Sequence, residues 1–184
     1  MSVTTIGPDA ALVVVDLQVA LVAGLAERGS GAVVENTVRL ADAFRRSGRA
    51  VALLTTDLND PPVGRNDHAS PRPPVPSAGL AIVPDLAPEP GDIVIEKRGW
   101  GGFVGTGLDA RLRERGIGQV VLAGVATGFG IESTARQAYD AGYHVVVALD
   151  AITDPRPHGH DFTVTEILPA LAETGSTADV LDLL

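Results

Sequence analysis

Three places in this sequence bring together residue types that could do chemistry. Asp16 follows an unbroken apolar run, Ala11 to Val15 (ALVVV), and Gln18 stands two residues on. Lys97 and Arg98 follow a second run, Asp92 to Glu96 (DIVIE). A small-residue turn, Gly124-Val125-Ala126-Thr127-Gly128, follows a third, Val120 to Ala123. A carboxyl group at such a point can transfer protons, and a cation beside it can hold its charge or bind an anionic substrate. Main-chain N–H groups where a turn enters a helix suit an anion or a developing oxyanion. Trp100, the only tryptophan, and Phe103 lie among glycines and are candidate walls of a small pocket. Each feature also has a plain structural reading: a turn-capping aspartate, ordinary aromatic packing, or glycines that save space.

What must position these residues is legible from periodicity. Apolar runs too short for helices read as buried strands, at Ala11 to Val15, Ala50 to Leu54, Asp92 to Glu96, Val120 to Ala123 and His144 to Leu149, the last ending at Asp150. Helical spacing covers Ala32 to Arg46, stopped by Gly48, and a helix capped by Thr106 runs through Arg115. After the turn, Ile131, Ala135, Ala138 and Tyr139 line one helical face, with Gly142 as its stop. Asp161 to Leu171 is expected to be helical and disturbed near Pro169, and the tail from Thr177 is left between strand and helix. The alternation predicts one α/β domain over residues 1–184, an open, mostly parallel sheet with helices on both faces. Asp16, Lys97 and the turn then share the carboxyl edge of the sheet, where such folds bind ligands.

Composition narrows the functions. The chain has 184 residues and a net charge of −9, so a nucleic-acid surface or an anionic membrane is not expected as partner. No apolar run reaches the roughly 20 residues of a membrane span, and the N-terminus lacks a signal-peptide pattern, so a cytoplasmic protein is expected. There is no cysteine, which removes disulfides, thiolate metal sites and thiol nucleophiles. No phosphate-cradling glycine fingerprint follows any strand, which argues against a nucleotide site. Residues 59–76, rich in proline, read as a loop that could close over the site; its Asp57, Asp67 and His68 surroundings lack metal-ligand spacing, and no metal or cofactor is expected.

The segments VVVDLQ (13–18), IEKRGWGGFVGTGLDARLRERGI (95–117) and GVATGFGIESTARQAYDAGYHVVVALDA (124–151) together resemble the isochorismatase-like hydrolase superfamily, also called the cysteine hydrolases. The resemblance implies a Rossmann-like fold and a catalytic set of Asp16 as acid/base, Lys97 as cation, and Gly130 at the place of the nucleophilic cysteine. It implies a cis peptide at Val125–Ala126, with Val125, Ala126, Thr127 and Phe129 beside the substrate, together with Gln18, Trp100 and Phe103. It also implies a small-molecule substrate and assembly into dimers or tetramers.

At Gly130 the sequence departs from the cysteine-bearing pattern, and covalent acyl-enzyme chemistry cannot run without the thiol. Ser133 and Thr134 lie a turn into the helix, where back-bonding to carbonyls is expected. Isochorismatases proper also carry glycine there, and hydrolysis of an enol ether needs an acid but no nucleophilic side chain. A dicarboxylate substrate would need cations, for which Lys97, Arg98, Arg65 and Arg72 are the nearby candidates. Three readings stay open. One is enol-ether hydrolysis with Asp16 as acid. Another is amide or lactam hydrolysis by Asp16-activated water, and the last is an inactive protein that binds a metabolite or serves in assembly.

Overall fold

The computed structural model describes residues 3–60, 67 and 73–184. Six strands form one sheet in the order β3-β2-β1-β4-β5-β6, where β1 is Ala10–Val15, β2 Ala50–Thr56, β3 Ile93–Lys97, β4 Gln119–Val125, β5 His144–Thr153 and β6 Glu173–Gly175. Every neighbouring pair is parallel. Because β1 and β4 are buried on both faces, they read as unbroken apolar runs rather than alternating ones.

The alternation along β1 still sorts the core. Ala10, Leu12 and Val14 face one layer with Leu40 and Phe44 of α2 (Ser30–Arg46) and Val180 of α8 (Thr177–Leu181). Ala11, Val13 and Val15 face the other, with Leu108 and Leu112 of α4 (Leu108–Glu114), Ala135 and Ala138 of α5 (Glu132–Asp140) and Leu168 of α7 (Leu168–Leu171). Chain order runs outward from β1 in one direction and from β4 in the other, so the two meet at the switch point where open α/β sheets leave a crevice. Gly124 lies there with φ 119°, and a Cβ on it would stand 2.0 Å from the Val15 carbonyl oxygen. Only glycine allows β4 to approach β1 this closely.

Several boundaries differ from the periodicity. β5 does not end at Asp150 but continues to Thr153 across an irregularity opposite Leu122 and Gly124. Asp150 instead turns its carboxylate to the Thr177 N–H and hydroxyl, both of which donate to Oδ1. Tyr139 is exposed, and Tyr143 takes the buried place beside α5. The helix expected from Thr106 starts at Leu108, with Gly107 as N-cap and the Leu108 N–H donating to Thr106 Oγ1. Helix α1 (Val19–Gly24), just after Asp16, was not expected. From α6 (Pro157–Phe162) the chain winds through a wider turn, Thr163–Ile167, into α7, next to the missing N–H of Pro169. The tail from Thr177 is helical, as α8, and the short strand β6 lies just before it. Among the described residues no helix is long and apolar enough to cross a membrane.

Candidate active site

Asp16 leaves β1 with φ 54°, in the left-handed region that aspartate tolerates better than most residues. Its N–H donates to the Leu54 carbonyl, and the Gln18 N–H donates to the Asp16 carbonyl at 2.8 Å. This tight bend aims the carboxyl group at the end of β3. There Lys97 Nζ donates to Asp16 Oδ2 at 2.7 Å and to the Gly99 carbonyl at 3.2 Å. The pair is removed from water: Asp16 is 6% exposed and Lys97 2%. Burial raises the Asp16 pKa to about 6, against the opposing pull of the Lys97 charge and hydrogen bond. Asp16 Oδ1 is buried and has no hydrogen-bond partner among the described residues. An orphaned carboxyl oxygen of this kind is costly in a resting fold and useful to a reacting molecule.

The turn after β4 closes over this pair. The Val125–Ala126 peptide is cis, and Thr127–Ile131 forms one wide helical turn ahead of α5. Gly130 is buried in that turn, and a Cβ built on it would stand 3.5 Å from Asp16 Oδ2. The same Cβ would meet the Val125 carbonyl oxygen and Val15 Cγ1, each at 2.8 Å. Gly130→Ala is therefore expected to cost about 1–3 kcal/mol of stability, read as a lower melting temperature. Thr134 back-bonds to the Gly130 carbonyl at 2.6 Å and accepts from the Gly102 N–H at 3.0 Å, tying the 98–107 loop over the site.

The remaining candidates divide. Trp100 is 62% exposed and its ring lies 4.6 Å from that of Phe129, so both stand at the lip. The Val125 side chain belongs to the core, with Ala126 packed against it, and Thr127 is buried. Gln18 is fully engaged with main chain: Nε2 donates to the Thr56 and Leu80 carbonyls, and Oε1 accepts from the Thr56 N–H. It ties strand ends together and leaves its amide no free donor. The Phe103 ring packs on Tyr143 with centroids 5.4 Å apart. Arg98 is exposed and pairs with Asp60 at 2.9 Å. Arg65, His68, Arg72 and most of the 59–76 loop lie outside the described residues.

Sequence reasoning missed the segment after β5. Asp154 is completely buried; Oδ2 accepts from the Gly128 N–H at 2.8 Å, and Oδ1 from Arg156 N and Nε at 2.9 and 3.2 Å. The Arg156 guanidinium lies 3.9 Å above the Phe129 ring. Thr127 Oγ1 and His160 Nδ1 are 2.9 Å apart. The signal was present as Asp154-Pro155-Arg156 behind an apolar run, but ending the strand at Asp150 hid it. A concavity of about 580 Å³ lies at the opposite, amino-terminal edge, lined by Gln119, Tyr143 and His144 among others, away from this chemistry. Among the described residues no three His, Asp or Glu side chains cluster as metal ligands.

The isochorismatase domain matches residues 10–179. The uncharacterized isochorismatase family protein YwoC of Bacillus subtilis is 34% identical over 181 residues, covering 94% of this chain and 92% of its own. The ureidoacrylate amidohydrolase RutB of Variovorax paradoxus is 32% identical over 171 residues, covering 78% of this chain and 68% of its own. The structure of an isochorismatase family protein from Burkholderia thailandensis superposes with a TM-score of 0.88 at 38% identity, covering 100% of this chain and 99% of the other.

Proposed function

The chain belongs to the isochorismatase family of hydrolases, and from that premise we propose that it hydrolyses a small molecule through Asp16 and Lys97, without a covalent intermediate. The observation that carries this reading is the state of Asp16, whose carboxyl is held near pKa 6 with one oxygen unpartnered among the described residues. Such a group is protonated in a useful fraction of molecules near neutrality and gives its proton readily. The absence of any cysteine supports a route that needs no thiol, as does Gly130 at the place where the resemblance puts the nucleophile.

The reaction that fits is hydrolysis of an enol ether. Asp16 gives its proton to the terminal vinyl carbon, leaving an oxocarbenium ion next to the carboxylate it has become. Water adds to the cationic carbon and its proton returns to Asp16. The hemiketal then collapses to a ketone and an alcohol, so one water is consumed and the acid is regenerated. Lys97 orients the carboxyl group and keeps its pKa from rising beyond reach. Trp100 and Phe129 are the proposed apolar walls.

A second reading is favoured by the amidohydrolase among the relatives. Here ionised Asp16 takes a proton from water, which attacks an amide carbonyl, and N–H groups of the Val125–Gly130 turn hold the oxyanion. The two readings predict opposite pH limbs. With Asp16 as acid, kcat/KM is flat below about pH 6 and falls about tenfold per unit above it. With Asp16 as base, it is flat above about pH 6 and falls about tenfold per unit below. The deciding assay follows pyruvate from isochorismate by coupled lactate dehydrogenase, beside an amide panel read for ammonia. Pyruvate release that needs Asp16 supports the first reading; ammonia alone moves the reaction to the second.

A further inference from the structure

Asp154 is fully buried, yet the chemistry derived above gives it no part. Strand pairing delivers it to the site. Gly124 and Val125 of β4 lie opposite Ile152 and Thr153 of β5, so the next residues, Ala126 and Asp154, leave the sheet side by side. One carboxylate oxygen does local work, since Oδ1 accepts from Arg156 N and Nε, two residues on. The other reaches 26 residues back, where Oδ2 accepts from the Gly128 N–H at 2.8 Å.

That N–H is directed out of the turn that follows β4. Those of Phe129 and Ile131 both go to the Ala126 carbonyl at 3.1 Å, so the start of the turn is wound on one main-chain acceptor. Gly128 and Gly130 have no side chain to pack, and glycine loses more freedom on ordering than any other residue. A segment so weakly determined from within takes its position from outside. Thr134 holds the Gly130 carbonyl, and Asp154 holds the Gly128 N–H with a carboxylate, an acceptor about twice as strong as a neutral one. What these bonds fix is the cover of Asp16, because a Cβ on Gly130 would stand 3.5 Å from Asp16 Oδ2.

We propose that Asp154 is a positioning residue of the active site: its carboxylate, acting through the Gly128 N–H, holds the main chain of residues 126–130 in place against the Asp16 carboxyl. It touches no reacting atom. The inference rests on the hydrolase reading for its kinetic arm alone, and hydrogen exchange tests it without turnover.

The full-length protein is compared with Asp154→Ala and Arg156→Ala by hydrogen exchange and mass spectrometry, on peptides covering residues 126–131 and β1. Loss of a charged acceptor is expected to speed exchange in the turn about ten- to a hundredfold in Asp154→Ala, with β1 unchanged. Arg156→Ala, which leaves Asp154 on Gly128, is expected to keep the turn as protected as in wild type. Where Asp154→Ala does not fold, Asp154→Asn takes its place. Its amide oxygen can serve Gly128 or Arg156 but not both, so exchange in the turn is expected to rise about threefold or more. With whichever substrate the pyruvate or ammonia assay identifies, the same variant is expected to lose about tenfold or more in kcat while KM stays within about threefold.

Unchanged exchange in the turn would overturn the proposal. So would equal loss of protection in Arg156→Ala, which would make Asp154 a holder of Arg156, or equal loss in β1, which would make it a general support of the fold. A rise in KM with kcat unchanged would overturn it as well. If neither assay finds a substrate, the exchange result decides.

Discussion

Asp16→Asn is expected to lower kcat by about 10²–10⁴-fold, the span that one positioned acid or base supplies. The substitution keeps the shape of the side chain and removes its proton chemistry. It also leaves the Lys97 ammonium, 2% exposed, with neutral acceptors in place of a carboxylate: the asparagine amide oxygen and the Gly99 carbonyl. Breaking one side of a buried pair costs about 3–5 kcal/mol, because the remaining charge is uncompensated. In a domain of this size that lowers the melting temperature on the order of 10 °C. Kinetics and melting must therefore be measured together, at a temperature where the variant is folded. A folded variant with full turnover would remove Asp16 from the mechanism.

Lys97→Met is expected to behave differently, because the partner it leaves behind can become neutral. Lys97 is what lowers the Asp16 pKa against burial, so its removal moves that pKa above 6 and carries the kinetic limb to higher pH. The stability consequence has a definite sign. The folded pKa of Asp16 is already above its ordinary value of 3.8, so the native state binds the proton more tightly than the unfolded chain. This contribution is fully present below about pH 4 and is lost as pH rises toward 6. In wild type the loss stops near pH 6; in Lys97→Met it continues, so the gap widens above pH 6 by about 1.4 kcal/mol per pH unit. Denaturant unfolding at pH 5.5 and pH 8 checks it. An equal gap at both pH values would show that Lys97 does not control the Asp16 proton.

The layered α/β fold and the meeting of Asp16, Lys97 and the Gly124–Gly130 turn were legible because they rest on local patterns. Unbroken apolar runs mark strands buried on both faces, and a polar residue ending such a run must sit at a strand end. All parallel strands of one sheet present those ends on one edge, so three distant segments converge without any knowledge of their contacts. What periodicity missed depends on partners distant in sequence. β5 passes Asp150 because Gly124 and Val125 of β4 pair with Ile152 and Thr153, and only that extension brings Asp154 under Gly128 and Arg156 onto Phe129. Gln18 and Phe103, both expected in the pocket by sequence, meet partners that no local pattern shows: the Thr56 and Leu80 carbonyls for Gln18, and the Tyr143 ring for Phe103. Hydrophobic spacing places a residue on a face or at an edge; where its side chain points is decided by polar and aromatic partners that only the assembled tertiary structure supplies.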